Sequence, residues 1–323
     1  MKLEKVILLL IIFLPISVSA YTKAVVDITK MSISDLADAL DKGYLTSELL
    51  VTLYLERIDA YNSEFNAIRE INKNALEEAR ELDLERARGN VRSALHGIPI
   101  VVKTNIDVEG LATTAGSLAL SDNYPIEDAL VIKRLKEAGA IILASTNMSE
   151  FAFAAGNSFS SYGQVRNAFN TSYTPYGSSG GSAVAVATSM AAASLGTDTN
   201  SSVRIPASAA GLVGMRPSVG LISSDGIIPY DVTRDTVGVI SKTVEDNALL
   251  LSAINENNES YSLNKTSLDG VRIGVIDSYL NGSDSSIRVN QATDEDIKTL
   301  ANEKIQLLED MGAELVSISE LLN

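Results

Sequence analysis

The sequence predicts an α/β layered domain, and three observations carry that reading. Helix-like and strand-like signals alternate from "GIPIVVK" (97–103) through "ALVIKRLKEAG" (129–139) to "AIILAS" (140–145), the pattern of a sheet covered by helices. The stretch "LEDMGAELVSI" (308–318) repeats the helix–glycine–strand connection without marking a duplicated domain. With 323 residues, 46% of them apolar, the chain has the material for a substantial core.

Along the chain, residues 1–20 set Lys2 and Lys5 before an apolar run from Val6 to Leu14 and end on small residues, Val18 and Ala20, which reads as a secretory signal peptide. An uncleaved anchor is the alternative, disfavoured because the run is shorter than the ~20 residues a spanning helix needs. Next comes a helical preface. Ser34 is expected to cap a short helix closed by Gly43, and Thr46 a second in which Leu50, Tyr54, Ile58 and Tyr61 recur at helical spacing. A third runs from about Asn74 to Arg88 and stops at Gly89. The small-residue run Ser182–Leu195 suits a buried helix, and the polar stretch 255–267 reads as a surface excursion rather than a domain linker.

The formal charge of −15, spread over helix faces, argues against nucleic acid and anionic membranes as partners. Zero cysteines exclude a disulfide scaffold and a Cys nucleophile. With His96 the only histidine, a His/Cys metal cluster is not available either.

Chemistry concentrates in "TPYGSSGGSAVAV" (174–186). A flexible linker would be flanked by polar sequence, whereas small apolar residues follow here. A phosphate-binding loop would need a lysine after the last glycine, yet Gly181 is followed by Ser182 and Ala183. What remains is a glycine-permitted loop leading into a helix N-terminus and holding a hydroxyl. A hydroxyl nucleophile needs a base. His96 could serve a Ser-His-Asp arrangement, but it precedes "GIPIVVK" and reads better as a surface or strand-edge residue. Lys103 ends the apolar run "IPIVV". Pattern alone favours a snorkelling strand-end lysine; the other reading is a buried lysine of lowered pKa that shares a proton with a serine. A third stretch, "GTDTNSSVRIPAS" (196–208), offers Ser201 and Ser202 in a polar loop, and by itself could be a capped helix start.

Together these stretches resemble the amidase signature family of carboxylic amide hydrolases. Six ordered segments carry the likeness, from about Ser34 to the chain end: "HGIPIVVKTNIDVEG", "TTAGS", "ASTNMSEFA", "YGSSGGSAVAV", "LGTDTNSSVRIPASAAGLVGMRPSVGLIS" and "RDTVGVISKTVEDNALLL". The resemblance implies a mixed β-sheet core covered by α-helices on both faces. It also implies a Ser–Ser–Lys triad in which Lys103 is the lysine, Ser178 the cis-peptide serine and Ser202, 24 positions on, the nucleophile. Backbone N–H groups of Thr199, Asn200, Ser201 and Ser202 would form the oxyanion hole.

Several positions depart from the family pattern. Asn200-Ser201 stands where Gly-Gly is usual, so the loop must take its shape without glycine's freedom in φ; Asn tolerates a left-handed conformation better than Ser does. Tyr176 replaces a glycine, and Thr104 stands where an acidic residue often follows the lysine. Asp198 and Arg204 are expected to hold the nucleophile loop by charge-assisted hydrogen bonds, with plain helix capping the alternative for Asp198. Asp235 matches a family position near the site without a catalytic step. Family members usually continue well past the strand "AELVSI", so 21–323 is expected to be a single amidase domain incomplete at its C-terminus.

The implied activity is that of an exported amidase, secreted or periplasmic, converting a small-molecule or peptide amide to acid and ammonia or amine. No metal or organic cofactor is implied. Alternatives are the glutaminase-like subunit of a tRNA-dependent amidotransferase, against which export argues, and a catalytically impaired shortened relative.

Overall fold

The preface begins where Ser32, in extended backbone, accepts the Asp35 N–H while the Asp35 carboxylate accepts the Ser32 N–H, a reciprocal capping box that starts α1 (Ile33–Asp41). The cap is therefore Ser32 and not the expected Ser34, which already lies in the first turn. Thr46 caps α2 (Ser47–Phe65) by accepting from Leu49 N–H at 3.1 Å. Leu50, Tyr54 and Ile58 of α2 are buried, but Tyr61 is exposed, and the inward stripe continues through Phe65 instead. After β1 (Ile68–Ile71), α3 (Ala75–Ala87) ends before Gly89, whose φ of +81° turns the chain. The computed structural model describes residues 27–263, 267–276 and 295–318; the expected signal peptide lies outside them. Among the described residues no helix is long and apolar enough to cross a membrane.

The expected strand–helix–strand alternation follows as β2 (Pro99–Lys103), α4 (Leu130–Glu137) and β3 (Ile141–Thr146). A small hairpin, β4 (Phe159–Ser160) and β5 (Gly163–Gln164), precedes α5 (Gly180–Ala187). Then come β6 (Ala193–Asp198), α6 (Arg204–Ala209), β7 (Val213–Met215), β8 (Thr236–Ser241) and α7 (Val244–Ile254). Six strands form one mixed sheet in the order β1-β3-β2-β6-β8-β7, with β2 parallel to both β3 and β6 and the remaining pairs antiparallel.

Strands β2, β3, β6 and β8 are buried at every residue, as strands covered on both faces must be. Helix α5 packs across β1, β2, β3, β6 and β8, while α4 and α7 pack on each other and on β3, β7 and β8. The run read as one buried helix, Ser182–Leu195, is split: Ser189 at φ +55° turns the chain out of α5 and into β6. Small apolar residues fit a buried helix and a buried strand equally, so pattern could not place that break. The carboxyl ends of the parallel strands β3, β2 and β6 bring Thr146, Lys103 and Asp198 to one edge, where open α/β sheets bind ligands.

The chain divides into two compact units at Tyr261/Ser262, inside the polar stretch expected to be a surface excursion. In the second unit β9 (Arg272–Val275) pairs in parallel with β10 (Glu314–Ser317). Helix α8 (Glu295–Asp310) leads through Gly312, at φ +97°, into β10, the helix–glycine–strand connection expected there.

Candidate active site

Lys103 is fully buried, which overturns the snorkelling reading favoured by pattern alone: β2 ends inside the molecule, so the side chain has no route to water. Its Nζ lies 2.6 Å from Ser178 Oγ, 2.8 Å from Thr197 Oγ1 and 3.3 Å from the Thr197 carbonyl. Burial pushes the amine down to about 7, against the opposing pull of Asp198 and Asp235. The site thus holds a lysine poised between its charged and neutral forms near neutral pH.

Hydrogen-bond capacity decides what this lysine can do. As an ammonium it donates three times and has three oxygens within reach; as an amine it keeps two N–H groups and a lone pair. The Thr197 carbonyl only accepts, so one N–H stays there. When the Thr197 hydroxyl takes the other, the lone pair is left facing Ser178. Asn105 in turn donates from Nδ2 to Thr197 Oγ1 at 3.2 Å and to the Ile228 carbonyl at 3.1 Å, pinning the threonine.

Ser178 follows a cis peptide bond from Gly177 and is fully buried. Its carbonyl accepts from Ser149 N–H at 3.1 Å, so the loop after β3 grips it from behind. The glycines of "GSSGGS" permit this close approach: a Cβ at Gly181 would overlap the Asn147 carbonyl, and one at Gly177 the Asn157 carbonyl. Tyr176, in the place of a further glycine, adopts φ +57°. The following residue, Ser179, donates its N–H to the Ser202 carbonyl at 3.1 Å, which sets the two serine loops side by side.

Ser202 is buried, yet its hydroxyl makes no hydrogen bond among the described residues. The structure therefore joins Lys103 to Ser178 but leaves the expected Ser178–Ser202 hydroxyl contact open. The backbone N–H groups of Thr199, Asn200, Ser201 and Ser202 are likewise without partners among the described residues. A row of free donors beside a buried hydroxyl can receive a developing negative charge. Asn200 and Ser201 reach this arrangement without left-handed backbone, so the glycines they replace are not required for φ.

Asp198 combines its two expected roles. Fully buried, its Oδ2 accepts from Val203 N–H at 3.0 Å and Arg204 Nε at 3.2 Å, which caps α6 and pairs the guanidinium at once. Arg216 Nε approaches Oδ1 at 3.3 Å from the other side. Asp235 accepts from Thr199 Oγ1 on one oxygen and from Tyr230 and Asp231 N–H on the other, at 2.7 and 2.9 Å; it ties loops together. Thr104 is buried against Ala112 and Thr114.

His96 is fully buried rather than at the surface: Arg92 N–H donates to its Nδ1 and its Nε2 bonds the Leu82 carbonyl, which fills both ring nitrogens. It lies in the turn before β2 while Lys103 ends that strand, so the strand's own length of about 13 Å stands between them. Thr197, Asn105 and Arg216 were missed in the sequence. The available signal was a polar Thr ending the small-residue run 193–197 and an Asn two residues past the lysine, since buried polar groups are seldom left there without a partner. Among the described residues no group of three or more His, Asp or Glu could hold a metal ion.

The amidase family profile matches residues 49–320. The chain belongs to the amidase family. Among curated relatives of this amidase-family chain, a glutamyl-tRNA(Gln) amidotransferase subunit of Salinibacter ruber is 37% identical over 88% of the chain and 56% of its own length. Among solved structures, the native peptide amidase of Stenotrophomonas maltophilia superposes with a TM-score of 0.79 at 35% identity, covering 90% of this chain and 62% of that one. The corresponding glutamyl-tRNA(Gln) amidotransferase subunit of Thermotoga maritima gives 0.72 at 30% identity, covering 91% and 62%. The chain therefore spans less than two thirds of the length of these relatives.

Proposed function

We propose that this protein hydrolyses carboxylic or peptide amides through a serine acyl-enzyme, with Ser202 as nucleophile and Ser178 and Lys103 as its proton relay. The observation that carries the proposal is the buried Lys103 amine at 2.6 Å from Ser178 Oγ, beside a serine loop with four free N–H groups.

In the first step Ser202 Oγ attacks the amide carbon while its proton passes to Ser178 Oγ and the Ser178 proton passes to Lys103 Nζ. The unpartnered Ser202 hydroxyl is free to turn toward Ser178 for this transfer; such contacts often tighten only once substrate is bound. The carbonyl oxygen, now negative, takes hydrogen bonds from the 199–202 N–H groups, each typically contributing about 3 kcal/mol. Collapse breaks the C–N bond as the relay runs backward and protonates the leaving nitrogen. Water then attacks the ester by the same route, releasing the acid and restoring Ser202.

The test is ammonia release from a panel of amides by the purified full chain, beside Ser202→Ala and Lys103→Ala. A rate lost in both variants is expected; equal rates in all three proteins overturn the proposal. A serine-reactive fluorophosphonate that fails to label the wild type would instead indicate the catalytically impaired relative.

Identity to amidotransferase subunits favours a second reading, an amide-hydrolysing subunit that feeds a tRNA-dependent partner. Export, inferred from residues 1–20, favours the free amidase. Fractionation of the source cells separates them: recovery outside the cytoplasm supports the first reading, and cytoplasmic recovery with glutamine as the preferred substrate supports the second.

A further inference from the structure

We propose that Phe153 and Tyr230 form an aromatic arch over the candidate active site that selects amides carrying an uncharged aryl or bulky aliphatic acyl group. This inference rests on the amide-hydrolase reading and names its substrate class. The two rings meet with centroids 6.1 Å apart at an interplanar angle of 59°, yet Phe153 is 79% and Tyr230 44% exposed. They come from segments far apart in sequence, and each segment is tied to a different half of the site.

The Phe153 loop is fastened to the Ser178 side. Ser149 N–H donates to the Ser178 carbonyl at 3.1 Å, and Gly177 N–H donates to the Ala155 carbonyl at 2.8 Å. The Tyr230 loop is fastened to the other side. Tyr230 N–H donates to Asp235 at 2.7 Å, whose second oxygen accepts from Thr199, and Ile228 N–H donates to the carbonyl of Asn105 at 2.9 Å. The ring contact closes a circuit running from Ser178 through Phe153 and Tyr230 to Thr199 and the Ser202 loop. Tyr176, exposed next to Gly177, and Phe151 add further aromatic surface on the Ser178 side.

The cation on these loops is already paired, and Glu150 keeps its negative charge. Glu150 accepts from Ser161 Oγ at 2.9 Å, Asp231 pairs with Arg234 at 2.8 Å, and Arg234 also donates to Asn200 Oδ1 at 3.1 Å. Among the described residues no cation of the arch is left unpaired to meet the carboxylate of a free amino acid such as glutamine. Two exposed aromatic rings, carried by loops tied to the two serine loops, offer an apolar group a surface to pack on. In a primary amide the leaving ammonia carries no group that could pack on a ring, so the recognised group belongs to the acyl side.

The experiment compares kcat/KM for phenylacetamide, acetamide and glutamine in the wild type and in Phe153→Ala, Tyr230→Ala, Phe153→Tyr and Tyr230→Phe, with circular dichroism to establish folding. Phenylacetamide is expected to exceed both other substrates by about tenfold or more. The phenylacetamide-to-acetamide ratio is expected to fall about tenfold in each alanine variant and to survive in the conservative ones. A ratio unchanged in the alanine variants, or a wild type that prefers glutamine, overturns the arch.

If no amide is turned over, the hydrolase reading fails by itself, and binding then judges the arch. Saturation-transfer NMR of phenylacetamide on the Ser202→Ala protein is expected to show ring contacts that vanish in Ser202→Ala/Phe153→Ala. Equal signals in the two proteins overturn the inference.

Discussion

Packing Lys103 between strands removes the water that would hold its charge, and the resulting fall of its pKa to about 7 has two measurable consequences. In activity, kcat/KM for an amide should rise with pH through a limb near 7, and Lys103→Met should lower the rate by about 10²–10⁴-fold. In stability, the unfolded chain binds this proton up to its ordinary value of 10.5 while the folded chain gives it up near 7, so burial destabilises the fold fully below 7 and not at all above 10.5. Lys103→Met is therefore expected to be more stable than wild type in urea at pH 7, with the gap closing as pH approaches 10.5. A gap independent of pH would contradict the burial. Thr197 supplies a second test at this scale. Thr197→Val leaves the shape but removes one acceptor from Lys103, so kcat should fall roughly tenfold or more with KM little changed, and the rising limb should move to lower pH because the ammonium loses a bond. Thr197→Ser should restore both, and a limb that moves to higher pH would mean that the threonine hydroxyl donates to the lone pair instead.

Capping governs the helices that frame the site. The box at Ser32 predicts that Ser32→Ala lowers unfolding free energy by about 1 kcal/mol, while Ser34→Ala stays within about 0.5 kcal/mol, readable by urea denaturation. At α6 one buried carboxylate both caps the helix and pairs Arg204 and Arg216. Asp198→Ala leaves Arg216, three-quarters buried, without its charge partner; a loss of about 2–3 kcal/mol is expected, with lower activity as the 199–202 loop slackens. Retained stability with lost activity would assign Asp198 to the chemistry instead. Element types were readable before the fold: β2, α4, β3 and the preface helices follow from periodicity, Gly89 and Thr46. The break at Ser189 was not, because alanines and serines look alike in a buried helix and in a buried strand.

At the scale of the whole molecule, the net charge of −15 gives the phosphate backbone of RNA little to hold. In a mobility-shift titration with tRNA at about 0.15 M salt, the purified chain by itself is expected to show no complex at micromolar concentration. A complex there would move the balance toward the amidotransferase reading. Its sheet keeps the site at the carboxyl ends of three neighbouring strands, which lets distant stretches meet without any of them being adjacent in sequence.

The sequence by itself determined the layered α/β class, the order of the strands and helices around "GIPIVVK", and the family, because periodicity, turn residues and six ordered motifs are local properties of the chain. It also named Lys103, Ser178 and Ser202. Only the tertiary structure decided that Lys103 is buried and bonded to Ser178, that His96 is filled on both nitrogens at the far end of β2, and that Thr197 and Asn105 stand around the amine. Burial and hydrogen-bond partners depend on which strands lie side by side, and that neighbourhood is set by packing across the sheet rather than by any residue's own surroundings in sequence.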